Sequence, residues 1–540
     1  MILARPQPSP LPAAAGSPQS WCRLRCRLWT LALWGLVLVL LPASARAERI
    51  ELRDGSVLMG TVVGPMGDLV TIRLNVGTIV AVHGADIAFR GPRPAPSPAG
   101  VSPPAPTLLP VPPAPPPVPV PPLRFHGSNT MGERLVPALV DRFVATRGAG
   151  ASPWLAGALS GEKTLIVNGG DPGLPREIEV RAFGSETAFA ALQTGGADIG
   201  LSARRIRDSE SASVRGLTEQ TVALDGIAIV VHPNNPVRAL TPGQLSGILS
   251  GDITDWGAVG GIPGPIGLRL PDERSALPAT IQTLVMGGRR IVATAERLES
   301  SQEISARVAA EPGSLGLVSL AYIDRTRALD IRTCSGSVAP TAFAVKAGDY
   351  PLTRRLFFYA RPRPRPAVID DVLAFSAAPA GQSAIAAAGF VNLEIESDGG
   401  LSRRVRRELL IDDSSIDFAL ARGFLKATEG AGRLSLTFRF GEGGAAPDGD
   451  ADTDIQRLAA FMKSPAGQGH QLIVLGFSGP TDTFQKGAAL SESRAREVAQ
   501  RLDRSGLKAA TVAGFGAITT SCAETPDSRE RSRRVEVWMR

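Results

Sequence analysis

The chain has 540 residues, of which 44% are hydrophobic, and a formal net charge of +7. This length exceeds what one hydrophobic core supports, so we expect three or four folded units. Residues 1–47 hold five arginines and no other charged residue, so the remainder carries only +2. A charge this small gives no basis for nucleic-acid binding, which we exclude as a function class.

The first 47 residues have the pattern of a secretory signal peptide. Arg23, Arg25 and Arg27 precede an apolar run over 28–41, and Ala45-Arg46-Ala47 offers a cleavage site with small residues. The apolar run is too short to span a membrane. No cysteine lies beside the cleavage site, so we expect an exported protein without a lipid anchor.

Residues 48–91 are predicted to form a small all-β unit of SH3-like type. Apolar side chains alternate over 57–63, and short β-rich runs follow at 69–74 and 78–82. Such a unit would bind another protein or pack on its own chain.

Residues 92–122 are predicted to be a linker, because proline dominates their composition. Proline favours the polyproline II conformation and builds no core. At about 3.1 Å per residue the linker could extend over roughly 95 Å. Both a semi-rigid spacer and a simple tether fit this composition.

Residues 123–393 alternate strand and helix patterns, which is typical of an α/β domain. Two apolar runs, 222–231 and 341–345, are predicted to be strands that cross between two lobes. This arrangement predicts a two-lobed clamp with a cleft between the lobes.

Two segments of this domain open a predicted helix with small and hydroxyl-bearing residues. They are Gly127-Ser128-Asn129-Thr130-Met131-Gly132 and Gly184–Ser202. Unpaired N–H groups at a helix start, together with serine and threonine hydroxyls, can hold an oxyanion. The pattern therefore predicts anion binding and not catalysis.

Further motifs follow these two helix starts in order along the chain: His232–Pro236, Leu240–Pro242, Ile248–Trp256, Pro312–Leu317 and Phe375-Ser376. With them, residues 123–393 resemble the phosphate-type periplasmic substrate-binding proteins, which are two-lobed and of type II. The resemblance implies that the lobes close over a small phosphate-like oxyanion. It also implies an ABC permease, or another envelope protein, as a partner.

The resemblance places the donors to the anion on three loops, at Ser128, Asn129, Thr130, Ser185, Ser202, Arg204 and Ser275. Ala203 stands where phosphate binders often have an aspartate that accepts the proton of hydrogen phosphate. Pro271 stands where the third loop should have an arginine, and we expect Arg269 or Arg274 to substitute. A buried anion needs matched charge and hydrogen bonds. Because these residues are lost, the alternative that the anion site is vestigial stays open.

The C-terminal part is predicted to hold a connector and a second α/β unit. The connector covers 394–432, and its basic run Arg403–Arg407 is predicted to be solvated. The unit covers 433–540, where strand patterns at 434–440, 471–475 and 533–538 flank helix patterns at 455–462 and 490–502.

The motif Leu490-Ser491-x-x-Arg494-Ala495-x-x-Val498-x-x-x-Leu502 and the closing Arg533–Val537 resemble the OmpA-like peptidoglycan-binding module. The resemblance implies that Arg494 contacts the peptide stem of peptidoglycan. In that family an aspartate shares the contact. Gly479 stands at its position here, so we expect Asp482 to compensate.

Motifs for catalysis and metal binding are lacking. The four histidines are scattered, and neither a nucleophile elbow nor a nucleotide-binding loop occurs. We therefore expect no enzyme activity, no metal and no cofactor. After loss of Cys22 and Cys26 with the signal peptide, Cys334 and Cys522 remain in an oxidising compartment. We expect a disulfide between them, and two unpaired thiols are the alternative.

Together these patterns predict an exported protein of the periplasm and the outer-membrane-associated envelope. It would capture a phosphate-like oxyanion and associate with peptidoglycan. The alternative is an envelope scaffold that links the wall to partner complexes and whose anion and peptidoglycan sites are both vestigial.

Overall fold

The computed structural model describes residues 48–91, with gaps at 55, 67 and 75–77, and residues 120–540, with gaps at 334–335, 413–416, 448–450, 480, 482 and 519–525. The chain divides into two compact units, Met1–Ala114 and Pro115–Arg540. The predicted signal peptide, most of the predicted linker, Asp482, Cys334 and Cys522 lie outside the described residues. The disulfide and the role of Asp482 therefore stay predictions.

The N-terminal unit is a five-stranded antiparallel sheet with the order β4-β3-β2-β1-β5. Its strands are β1 Glu48–Leu52, β2 Val57–Met66, β3 Leu69–Leu74, β4 Ile79–His83 and β5 Ile87–Gly91. Ile50 and Ile72 are fully buried between the strands. The likeness to an SH3 barrel stays a prediction.

The central α/β part begins at β6. Its strands are β6 Leu123–Gly127, β7 Ala149–Ala151, β8 Leu155–Ala156, β9 Glu162–Gly169, β10 Glu177–Ala182, β11 Ile199–Ser202, β12 Thr218–Val231, β13 Ala239–Leu240, β14 Gly267–Pro271, β15 Glu296–Leu298, β16 Ser314–Ser319, β17 Arg327–Ala328, β18 Asp330–Thr333, β19 Gly336–Val338 and β20 Thr353–Ala360. Its helices are α1 Val136–Thr146, α2 Ser185–Thr194, α3 Asp208–Ser211, α4 Pro242–Ser250, α5 Ala276–Leu284, α6 Ser301–Ala310, α7 Ala342–Lys346, α8 Ala367–Ala377 and α9 Pro379–Ala387. A π-helical turn, Met131–Leu135, leads into α1.

Twelve of these strands form one sheet, whose central path is β15-β14-β16-β12-β20-β11-β6-β10-β9-β7. Two large apolar clusters lie along it. One includes Phe125 and Phe358, and the other includes Trp256 and Leu317. The β12–β20 pair has β11, β6, β10 and β9 on one side and β16, β14 and β15 on the other, so the sheet has two halves, which are the two lobes. The first cluster extends onto both halves, through Val230 and Ile304 in the second, whereas the second cluster lies in the half that contains β16.

The strands β12 and β20 join the two lobes. β12 pairs with β20 over residues 218–226 and with β16 over residues 227–231. The predicted crossing strand at 222–231 is therefore confirmed. The prediction for 341–345 is wrong, because Thr341 Oγ1 accepts a hydrogen bond from Ala344 N and caps α7. The second crossing strand is β20 instead.

The C-terminal part is a four-stranded sheet with helices on both faces. Its strands are β21 Gly432–Arg439, β22 Leu472–Phe477, β23 Ala509–Gly514 and β24 Arg534–Met539, in the order β21-β24-β22-β23. Its helices are α10 Leu401–Asp412, α11 Phe418–Ala427, α12 Ala451–Lys463, α13 Phe484–Arg504 and α14 Pro526–Ser532. Alternate residues of β22 pack on opposite faces: Val474 toward α12 and α13, Leu475 toward α11. The likeness to the OmpA module stays a prediction.

The predicted connector, 394–432, is not irregular. It contains α10 and α11, because Leu410, Ala421 and Phe424 form an apolar face that packs on the C-terminal sheet. The prediction that its basic run is solvated is wrong for Arg406, which forms a two-bond ion pair with the fully buried Glu536, at 2.6 and 2.8 Å.

Candidate functional site

Three loops of the first lobe are joined by short hydrogen bonds. Ser128 N donates to Leu201 O at 2.9 Å, and Gly184 N donates to Gly127 O at 2.8 Å. Gly127 permits this approach, since a Cβ at its position would lie only 2.1 Å from Leu201 O. Two predicted helix starts and the end of β11 therefore converge on one place.

Three hydroxyl groups of these loops keep a proton that is free to donate. Ser185 Oγ accepts from Ala203 N at 3.0 Å, and Thr130 Oγ1 accepts from an arginine N–H. The hydroxyl of Ser128 has no hydrogen-bond partner among the described residues. A hydroxyl that accepts a bond keeps its own O–H for another acceptor. Ser128, Thr130 and Ser185 can therefore each donate to an anion.

Two other predicted donors are engaged with protein groups. Ser202 Oγ donates to Arg204 O at 2.7 Å, which uses its proton. The guanidinium of Arg204 forms two bonds to the Glu210 carboxylate, at 2.7 and 2.5 Å, and lies over the ring of Phe189. The positive charge of Arg204 is thus compensated by the Glu210 carboxylate.

The second lobe contributes the start of α5. Ser275 Oγ accepts from Leu277 N at 3.2 Å and so keeps its proton free. The neighbouring carbonyl of Arg274 touches Gly184 of the first lobe: a Cβ built at Gly184 would lie 2.2 Å from Arg274 O. Gly184 also has a φ of 107°, a conformation that favours glycine. The lobes are in contact across the cleft at this point.

The two arginines expected to replace the missing one on the third loop are both paired. Arg269 lies 3.0 Å from Glu296 and 2.5 Å from Glu311. Arg274 forms an ion pair with Asp272 at 2.6 Å. Neither therefore offers an uncompensated charge to the cleft.

A different arginine, Arg354 of β20, reaches the first loop. It pairs with Asp225 of β12 at 2.8 Å, and its Nη2 donates to Thr130 Oγ1 at 3.3 Å. Sequence reasoning missed it because the arginines at 354 and 355 interrupt the apolar pattern of β20. The signal that could have found it is a charged pair within an otherwise apolar stretch, 352–360.

Two more polar groups distinguish the first loop. Asn129 Oδ1 is buried without a hydrogen-bond partner among the described residues. Burial raises the pKa of Glu133, in the π-helical turn, to about 7, although the nearby Lys163 lowers it. The first loop therefore contains a free acceptor, and the π-helical turn after it contains a carboxyl group that is partly protonated near neutral pH.

Arg494 of α13 is fully buried in the C-terminal domain. Its Nε donates to Gly444 O at 2.9 Å and its Nη2 to Gly441 O at 3.3 Å. Burial, and then the charge of Arg533, lowers the pKa of Arg494 to about 10. In the part of the chain that the structure describes, the guanidinium meets carbonyl groups and no carboxylate.

The two lobes and their crossing strands define the class of the central part: a two-lobed α/β domain. Residues 133–380 match the family model described as the PBP superfamily domain. The match covers less than half of the chain and is a likeness of this segment to that superfamily.

The relatives of this domain include proteins named PstS. The phosphate-binding protein PstS of Bacillus subtilis is 29% identical over 180 residues, which are 33% of this chain and 58% of that protein. The phosphate-binding protein PstS 2 of Streptococcus agalactiae is 34% identical over 80 residues, which are 15% of this chain and 27% of that protein. The chain thus spans less than two thirds of the length of these relatives.

One similar solved structure is the ABC-type phosphate transport receptor from Vibrio cholerae. It is 22% identical, with a TM-score of 0.40, and the match covers 50% of this chain and 99% of the receptor. As a separate observation on the described residues, none of their helices combines the length and the apolar character that a membrane span requires.

Proposed function

We propose that the chain is an exported, non-enzymatic solute-binding protein that captures a small phosphate-like oxyanion between its two lobes. The observation that carries this proposal is the set of serine and threonine hydroxyls with free protons on loops of both lobes. They are Ser128, Thr130 and Ser185 in the first lobe and Ser275 in the second. The names of the relatives support the same ligand class.

Capture would work by lobe closure. Helix starts supply N–H groups whose partial positive charge favours an anion, and the hydroxyls add directed hydrogen bonds. Closure brings Gly184 against Arg274 O, which excludes water from the cleft and strengthens those bonds. Ser202 and Arg204 are left out of this donor set, because Arg204 O and Glu210 already occupy them.

Selectivity between phosphate and sulfate would depend on hydrogen-bond acceptors in the site. Ala203 removes the carboxylate that accepts the proton of hydrogen phosphate in the family that this domain resembles. Asn129 Oδ1 lacks a donor among the described residues and suits that proton. We expect phosphate to bind more tightly than sulfate, because sulfate has no proton to donate to Asn129.

Calorimetry on residues 48–540 with phosphate and with sulfate tests this function. We expect heat with phosphate and weaker binding of sulfate. The absence of heat with both anions would contradict the proposal and favour the envelope scaffold.

A second candidate function is association with peptidoglycan through the C-terminal domain. It is favoured by one observation: no carboxylate among the described residues compensates the buried charge of Arg494. A stem carboxylate would supply this charge, if the Gly441 and Gly444 carbonyls gave way. Delivery of the anion to an ABC permease, or to another envelope protein, would then take place near the wall.

A pull-down of residues 48–540 with purified peptidoglycan tests this attachment. We expect Arg494→Lys to reduce retention, and Arg496→Lys, at a 63% exposed side chain of the same helix, to leave it unchanged. Circular dichroism checks that both variants fold. Equal retention of the two variants would remove Arg494 from the proposed site.

A further inference from the structure

We propose that Arg354 is the residue that supplies positive charge to the bound oxyanion, through N–H groups that are unpaired in the structure. This inference rests on the proposed function and assigns a residue that the sequence motifs did not indicate.

The hydrogen bonds of Arg354 leave one nitrogen unused. Its Nε donates to Asp225 Oδ2 at 2.9 Å, and its Nη2 lies 2.8 Å from the same oxygen and 3.3 Å from Thr130 Oγ1. Nη1 is buried and has no hydrogen-bond partner among the described residues. The side chain is only 4% exposed.

An unpaired guanidinium nitrogen in such a place is unfavourable. Buried donors are nearly always hydrogen-bonded, and leaving one without a partner costs its desolvation. The bond to Thr130 Oγ1 holds the planar group beside the loop that carries Ser128 and the helix start. A tetrahedral anion at that helix start would satisfy Nη1 and accept from the Thr130 hydroxyl at once.

The other arginines near the cleft cannot take this role without losing carboxylate partners. Arg204 donates two hydrogen bonds to Glu210, and Arg274 forms an ion pair with Asp272. Asp225, the carboxylate partner of Arg354, has other donors as well. Its Oδ1 accepts from Ser319 Oγ at 2.6 Å and from Leu320 N at 3.2 Å. Its negative charge is therefore partly stabilised by donors of the second lobe, which leaves more of the Arg354 charge for an anion.

The same contacts give the arginine a second consequence. Asp225 and Arg354 lie opposite each other on the two crossing strands, and Ser319 ends β16 of the second lobe. An anion that binds Arg354 would thus be bonded to the hinge, which is the pair of strands β12 and β20 that join the lobes. Binding would then favour the closed arrangement of the lobes.

The test is calorimetry of residues 48–540 with inorganic phosphate, on the native chain and on three variants. Arg354→Lys keeps the charge beside Asp225 but loses the planar fork. The double variant Arg354→Met with Asp225→Asn removes both charges, so that neither is left buried alone. Arg365→Lys is the matched control, because Arg365 is also a buried arginine (6% exposed) with a carboxylate partner, Asp370.

We expect both Arg354 variants to bind phosphate roughly 10- to 100-fold more weakly, and Arg365→Lys to bind as the native chain does. Each variant's melting temperature with and without phosphate shows whether it folds and whether the anion still stabilises it. Native affinity in both Arg354 variants overturns this inference and leaves the proposed function standing. If the native chain binds no oxyanion, the proposed function and this inference both fall.

Discussion

Arg433 of β21 forms a bidentate ion pair with Asp349, at 2.6 and 3.1 Å, and so joins the C-terminal sheet to the two-lobed α/β domain. Asp349 lies between α7 and the crossing strand β20. Two more bonds accompany the pair: Arg439 donates to Gly348 O at 2.6 Å, and Arg457 donates to Leu393 O. The C-terminal domain is therefore bonded to the chain segment that leads into the hinge.

Replacing Asp349 by asparagine should destabilise this contact. Arg433 is fully buried and would keep its charge without its closest carboxylate, although Glu536 lies 3.5 Å from its Nε. Because 32% of the Asp349 side chain is exposed, we expect a loss of about 1–3 kcal/mol in the free energy of unfolding, below the range for fully buried pairs. Urea unfolding of residues 48–540 measures it.

The control for this change is Asp371→Asn, which removes one of the two carboxylate partners of Arg147, the other being Asp171, at a 44% exposed side chain and should cost under about 0.5 kcal/mol. Burial alone would raise the pKa of Asp349, but the charge of Arg433 outweighs it and the pKa is lowered. A lowered carboxyl pKa adds stability above the ordinary value near 4, and this stability is lost as the pH falls through the folded-state pKa. The difference between the native chain and Asp349→Asn should therefore shrink in acid, and a constant difference would contradict the pair's role.

Gly184→Ala should impair anion binding by preventing lobe closure. The new Cβ would meet Arg274 O, and the φ of 107° is unfavourable for alanine. Gly195→Ala, at the other end of α2, is the matched control: its φ is also positive, at 76°, but its Cβ would be 3.5 Å from the nearest atom, Arg361 Nη1. We expect phosphate affinity to fall at least tenfold more for Gly184→Ala, as measured by calorimetry. Equal losses would mean that strain, and not closure, is responsible.

Ser128→Ala should weaken phosphate binding with little effect on folding. The Ser128 hydroxyl has no partner among the described residues, so its loss should change the free energy of unfolding by under about 0.5 kcal/mol. A hydrogen bond to an anion is worth roughly 10- to 100-fold in affinity. Ser202→Ala should leave phosphate affinity unchanged but lower the free energy of unfolding, because Ser202 already donates to Arg204 O. Calorimetry and urea unfolding compare the two variants, and the opposite pattern would exchange their roles.

Glu133 should make stability depend on pH. Its folded-state pKa, about 7, lies above the ordinary value of 4.5 because of burial. The folded chain therefore holds this proton more tightly than the unfolded chain, and its stabilising effect is complete below pH 4.5 and is lost as the pH rises to about 7. Glu133→Gln should remove this fall, and at pH 8 it should be more stable than the native chain by roughly 2 kcal/mol. Urea unfolding from pH 5 to pH 8 measures both slopes, and parallel slopes would exclude Glu133 as the cause.

Local patterns predicted much of this molecule correctly. The crossing strand at 222–231 was predicted from a short apolar run, and the helix at 490–502 from a hydrophobic period. The loops around Ser128 and Ser185 were found for the same reason, since a helix start with hydroxyls is a feature of adjacent residues. These features need no information from distant parts of the chain.

The partners of the charged groups depended on the fold. Arg204 and Arg406 are equivalent in sequence as basic residues near possible sites, yet each is paired with a carboxylate that its own pattern does not reveal. Arg354 lies 129 residues from Asp225 and 224 residues from Thr130. An arginine's role is set by which acceptors fall within about 3 Å of its nitrogens, and folding alone brings such distant groups together.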